Sequence, residues 1–281
     1  MTVTLDTASL QVAIEELEES IYQPCIDLVP SDSYIVPAHL VAKMLENLWT
    51  YARKKKLLPR LASLVNGIAA KGESGAIYLA PKVEFAYCLP QTCIHPAQFL
   101  ISCARKHNEP TFTAIAFNYE PTGTDLDFMR ELSLSEKCEV YLGKNEPVAI
   151  ATLGTRSITP LNLSYDIQID NLQSDEEFEG AARVAACFSR AIKSNCQFGV
   201  VIQLNSGKTY AGSYIETTNG TSLGPLQDAL IELLSEKGSY SEISKVHYAE
   251  RYKTPFSIKS EVEQILHNIA PDAKFIVTRF S

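Results

Sequence analysis

Long apolar runs are missing from this chain. None of its 281 residues sits in a stretch approaching the ~18 consecutive apolar residues that a membrane-spanning helix needs. Cys-x-x-Cys is missing too: the seven cysteines, at 25, 88, 93, 103, 138, 187 and 196, are odd in number and scattered. That excludes a disulfide framework as the organising principle and suits free thiols in a reducing compartment. Basic charge is scarce, with 25 Lys and Arg against 33 Asp and Glu, a net charge of −8, which is the opposite of a nucleic-acid footprint. The one basic cluster, Arg53-Lys54-Lys55-Lys56, reads as a helix end, where cations are favoured. Met1–Ser9 has neither the basic start nor the apolar stretch of a secretory signal. A cytoplasmic protein is expected, with no nucleic acid and no membrane among its partners. What remains is ordinary globular material, 46% hydrophobic and 21% charged, long enough for one large domain or two ordinary ones.

Periodicity divides the chain. Leu10, Ile14, Leu17 and Ile21 repeat at helical spacing and Pro24 ends that helix; a second runs from about Pro37 to Lys56, with Pro37 at its first position. From Leu61 the period shortens. Leu61–Lys71 and Ala76–Ala80 are expected as a hairpin across Gly72-Glu73-Ser74-Gly75. Then follow a helix from about His95 to Lys106, a strand Phe112–Tyr119, a short helix Thr124–Leu132, and strands Cys138–Leu142 and Val148–Thr152. After a polar connection come a helix from about Glu176 to Ser194, helix Pro225–Glu236, strand Ile243–Glu250, helix Lys259–Ile269 and strand Lys274–Phe280. Helices alternating with strands after an opening hairpin predict α/β layers with mixed sheets.

The second half repeats the first. Gly67/Gly199, Ser74/Ser206, Gly75/Gly207, Tyr78/Tyr210 and Glu84/Glu216 recur at a constant offset of 132 residues. Farther on, Pro96-Ala97-Gln98 and Pro225-Leu226-Gln227 align once three residues are dropped. Such self-similarity is the mark of an internally duplicated unit. The expected organisation is an N-terminal helical segment (1–58), a first module (59–153), a connection (154–175) and a second module (176–281).

Candidate chemistry gathers where two strand-to-helix junctions of the first module meet, at Cys93-Ile94-His95-Pro96-Ala97-Gln98 and Pro121-Thr122-Gly123-Thr124-Asp125. Unpaired N–H groups at two helix starts make a cup suited to a metal or an anion. Cys93 beside His95 also invites a nucleophile reading with Asp125 orienting the imidazole, a Cys93–His95–Asp125 set. Plainer roles compete: Asp125 as a helix cap, His95 as a helix-start side chain, Lys82 and Glu84 as a mutual pair on one strand face. Residues two apart, as Cys93 and His95 are, are not expected to converge on one point.

With Ser74-Gly75-Ala76-Ile77-Tyr78, Val83-Glu84-Phe85 and His95-Pro96-Ala97-Gln98-Phe99-Leu100 in view, and Tyr210-Ala211-Gly212-Ser213-Tyr214-Ile215-Glu216 in the repeat, the chain resembles the two-module, homodimeric cytidine deaminases of bacteria and plants. The resemblance implies two tandem three-layer α/β/α modules, a homodimer, and a nucleoside pocket completed by the partner's second module. It makes Glu84 the carboxylate for the ribose and His95 a zinc ligand. Lys82 stands where the family has Asn, Ala97 where it has the proton-shuttling Glu, and Thr122 and Asp125 where it has two Cys. Leu64 replaces a stacking Phe, and Asn219 falls where an aromatic would close over the base.

Zinc of this type takes three protein ligands plus a water, and His95 with Asp125 gives two. The resulting expectations are that zinc is absent, leaving no cofactor, and that the chain is an inactive member of the family acting through binding or regulation, in a dimer with itself or with an active paralogue. The alternatives are a nucleoside or nucleotide sensor with an altered pocket, and changed chemistry at Cys93, His95 and Asp125.

Overall fold

The computed structural model describes residues 25–26, 67–85, 88–117, 119–132, 134–142, 147–148, 169, 172–236 and 238–281. The expected N-terminal helices, Leu64 and most of the connection lie outside the described residues. Two sheets organise the rest. The first has six strands in the order β1-β3-β2-β4-β5-β6: β1 (Cys25–Ile26), β2 (Gly67–Gly72), β3 (Ile77–Pro81), β4 (Phe112–Phe117), β5 (Leu134–Leu142) and β6 (Pro147–Val148). The second has four, in the order β12-β11-β7-β8: β7 (Phe198–Leu204), β8 (Thr209–Ser213), β11 (Ile243–Arg251) and β12 (Lys274–Phe280). A small ribbon, β9 (Ile215–Glu216) with β10 (Ser222–Leu223), stands apart.

Both sheets are mixed for one reason. Each contains an antiparallel hairpin closed by a short turn, and each contains one parallel pair that only a helical crossover can join. The hairpins are β2–β3 and β7–β8, and their turns need glycine: Gly75 has φ 92° and Gly207 φ 88°, a conformation that costs other residues. The crossovers are β4–α2–β5, with α2 spanning Gly123–Met129, and β11–α5–β12, with α5 spanning Lys259–Ile269.

Helix α1 (Pro96–Lys106) lies on the first sheet and α4 (Pro225–Ser235) on the second, and the two helices meet. Nearly every residue of α1 is buried, polar ones included, because its far side faces α4 rather than water. Ile68, Phe99, Leu100, Phe117 and Phe128 share one core with Val200, Ile202, Leu226, Leu230 and Tyr248. Its polar stripe is satisfied across that contact. Ser102 donates to Asp228 at 2.5 Å, Arg105 to Ser213 at 3.2 Å, and Lys106 pairs with Glu232 at 2.9 Å. Burial alone would lower the Lys106 pKa, but Glu232 and Asp228 outweigh it and the net shift is upward.

The far face of the second sheet is covered by α3 (Asp175–Cys187), whose Phe178, Ala182, Ala185 and Ala186 pack on Val201, Ala211 and Ala249. The expected helix to Ser194 stops seven residues short, at Cys187. There the chain must turn back: Ser189 Oγ donates to the Phe198 carbonyl, and the Arg190 backbone N–H donates to that of Tyr214. Short α2 likewise ends at Met129, before the expected Leu132.

Candidate functional site

The first junction is pinned by two backbone hydrogen bonds, Val83 N–H to Ile94 O and Ile94 N–H to Val83 O, both 2.9 Å. Val83 and Ile94 turn into the core. Alternation then puts Lys82, Glu84, Cys93 and His95 together on the opposite side, where all four are half-buried. Lys82 and Glu84 form an ion pair at 2.5 Å. Contrary to the sequence expectation, Cys93 and His95 do share a face, because Ile94 between them is claimed by the core.

His95 caps α1 in extended conformation, and its backbone N–H donates to Gln98 Oε1 at 2.7 Å. Burial first, and then the charge of Lys82, hold its imidazole pKa below the usual value against the pull of Asp125 and Glu84. The ring is therefore neutral at pH 7. Cys93 is shifted upward, by burial first, with Glu84 opposing the help that Lys82 gives. It is a thiol at neutral pH, which is poor chemistry for a nucleophile.

Thr122 caps α2. Asp125 Oδ2 accepts from Thr122 N–H at 2.9 Å and from its Oγ1 at 2.6 Å, while Asp125 Oδ1 lies 3.4 Å from Ala97 N–H. Asp125 is fully buried, and its oxygens are turned to helix starts. Tyr119 lies close by, with its pKa raised by burial first and by Asp125 second. Ala97, also fully buried, contributes no donor or acceptor side chain.

The cup thus brings together Lys82, Glu84, Cys93, His95, Ala97, Thr122 and Asp125, while Asn219 goes elsewhere. Its amide donates to Asp127 of its own chain at 2.6 Å. Glu216, the repeat's counterpart of Glu84, accepts from the N–H groups of Lys193 and Ser194 at 2.8 and 3.1 Å. It is a structural carboxylate. Two contacts beside the cup were not legible from sequence: Glu131, only 2% exposed, which takes Arg190 at 2.7 Å and Thr218 N–H at 2.6 Å, and Gln98, which donates to the Ser222 carbonyl at 2.7 Å. The repeated Pro-x-Gln was the available signal for the second.

Zinc finds too few donors here. His95 and Asp125 are two ligands where three are needed, and Asp125 is already committed to Thr122. Among the described residues no group of three or more His, Cys, Asp or Glu side chains is placed to hold a metal ion. The cup's donors do not fit zinc.

Residues 149–263 match the family model described as the cytidine and deoxycytidylate deaminase zinc-binding region. The chain is 34% identical over 173 residues to a protein named cytidine deaminase from Serratia proteamaculans, covering 59% of this chain and 59% of that one. It is 29% identical over 214 residues to one from Photobacterium profundum, covering 73% of this chain and 72% of that relative. By sequence, the chain is similar to proteins named cytidine deaminase. A crystal structure of cytidine deaminase from Burkholderia pseudomallei matches 38% of this chain and 86% of that one at 17% identity, with a TM-score of 0.35.

Two expectations fall on these findings. The chain was expected to be an inactive relative of the cytidine deaminase family, working through binding or regulation, with a sensor and Cys93–His95–Asp125 chemistry as alternatives. Relatives named cytidine deaminase at 34% and 29% identity overturn that reading. The expected absence of zinc is overturned alike, by a matching family model described as a zinc-binding region. Both expectations came from counting donors at one cup, between Lys82 and Asp125, whereas the zinc-binding region of that model matches residues 149–263.

Proposed function

We propose that this chain deaminates a cytidine-type nucleoside by hydrolysis, adding water at the ring carbon that bears the exocyclic amine and releasing ammonia. The alignment with the Photobacterium cytidine deaminase carries this reading. Covering 73% of a 281-residue chain, it includes Lys82–Asp125 wherever it begins. The nucleoside is assigned to the cup at the heads of α1 and α2. There Glu84 and Lys82 offer an acceptor and a donor to sugar hydroxyls, and the neutral imidazole of His95 borders the base. Zinc, where bound in the family, activates water. No step is routed through it here, because the donors of this cup do not fit it.

Two features of organisation go with this reading. The chain is read as two tandem modules from one duplicated unit: Gly67 pairs with Pro81 and Gly199 with Ser213, Ala70 with Tyr78 and Ile202 with Tyr210, every partner displaced by the same 132 residues. A homodimer is the expected assembly, and the molar mass in solution tests it.

The function is tested by ammonia release from cytidine and deoxycytidine, with metal analysis of the same preparation. Turnover with about one zinc per chain supports the proposal and directs the search for ligands beyond the cup. A folded, metal-supplemented protein that releases no ammonia from either nucleoside refutes it.

A further inference from the structure

The repeated Pro-x-Gln openings of α1 and α4 have a tertiary meaning. Gln98 and Gln227 are each the third residue of an 11-residue helix, and they are only 5% and 4% exposed. Each amide reaches out of its own unit to a backbone carbonyl just ahead of the other helix. Gln98 Nε2 donates to Ser222 O at 2.7 Å, and Gln227 Nε2 lies 3.5 Å from Thr92 O. The exchange is reciprocal, but the two halves are unequal. The Gln98 bond is short, and the same side chain also accepts the His95 N–H at 2.7 Å. Gln227 divides its amide between Thr92 and Glu261, the latter at 3.2 Å.

Ser222 closes the turn that joins β9 to β10, and this turn is held at two more points on the first unit. Thr218 N–H donates to Glu131 Oε1 at 2.6 Å, and Asn219 Nδ2 to Asp127 Oδ1 at 2.6 Å. Glu131 is itself fixed by Arg190 at 2.7 Å. The turn from the second unit is thus tied to the first turn of α1 and to α2, the two helices whose starts form the cup.

We propose that Gln98 is a positioning residue, a latch that fixes the 217–223 turn to the backbone of His95, so that the second unit walls the first unit's cup within one chain. The functional part of this inference rests on the cup being the nucleoside site. The latch itself does not.

Gln98→Met removes both hydrogen bonds without adding charge. Gln98→Glu keeps an acceptor for His95 N–H but turns a carboxylate toward the Ser222 carbonyl, and it decides the matter if the Met variant does not fold. Two quantities are read: amide exchange of residues 217–223 and the split between KM and kcat for cytidine. In the Met variant the turn exchanges about tenfold faster or more, as a locally released segment does, and KM rises more than kcat falls. In the Glu variant the turn loosens while the first turn of α1 stays protected. Unchanged exchange of the turn in both variants overturns the latch. Exchange is measured without nucleoside. A missing turnover with exchange shifted therefore refutes the functional reading and leaves the latch standing.

Discussion

Acid should weaken this fold through one histidine in particular. His247 on β11 is 2% exposed and stacks on Phe178 of α3, with ring centroids 5.2 Å apart and planes 18° apart. Neither ring nitrogen has a hydrogen-bond partner among the described residues. The nearest carboxylate, Asp175, lies 3.9 Å away and is shared with Lys245 and Lys274. Burial, reinforced by those lysines and opposed by Asp175 and Glu179, lowers its pKa from 6.5 to about 4. The unfolded chain therefore binds a proton below pH 6.5 that the folded chain refuses until about pH 4, so stability falls as pH drops through that window. At about 1.4 kcal/mol per pH unit between 6.5 and about 4, the full difference comes to about 3.5 kcal/mol, and roughly half of that remains after solvent screening. Urea unfolding at several pH values between about 7 and about 4.5 measures the loss. His247→Phe, which keeps the stack and removes the titration, should lose about 1.5–2 kcal/mol less over that range than the native chain. Parallel curves for the two proteins, within ~0.5 kcal/mol at every pH, would refute the assignment to His247.

Two more outcomes follow from close contacts. Asp125→Ala leaves Thr122 N–H and Oγ1, now 2.9 and 2.6 Å from its carboxylate, without their acceptor, and should cost about 2–3 kcal/mol in urea unfolding. A loss below ~0.5 kcal/mol would mean that the cap is dispensable. A Cβ on Gly212 would stand 2.1 Å from the Pro225 carbonyl oxygen and 2.4 Å from Ala229 N, in the backbone of α4. Gly212→Ala should force α4 off β8 and lower stability by about 2 kcal/mol or more, read by thermal unfolding. A neutral substitution there would contradict the close seat of helix on sheet.

Local chemistry was open to reading in the sequence. Gly75 and Gly207 announce hairpin turns because only glycine takes their backbone angles cheaply. The same offset of 132 residues separates the pairings of the two hairpins, Ala70 with Tyr78 and Ile202 with Tyr210. Asp125 read as a cap, and Lys82 with Glu84 as a pair, because contacts over two or three residues follow from local geometry. Donor counting at one cup was less secure. The conclusion about activity and zinc drawn from it for the whole chain did not survive comparison with the chain's relatives.

What only tertiary structure decided was the destination of polar groups that meet partners more than a hundred residues away. Gln98, Ser102, Arg105 and Lys106 form a stripe that nothing local distinguishes from a solvated helix face, yet they meet Ser222, Asp228, Ser213 and Glu232. The early end of α3 at Cys187 was equally hidden, because it is set by where Tyr214 and Phe198 bring the second sheet. Spacing along the chain fixes which side a residue takes. Whether water or another helix waits on that side is settled only when the two sheets pack.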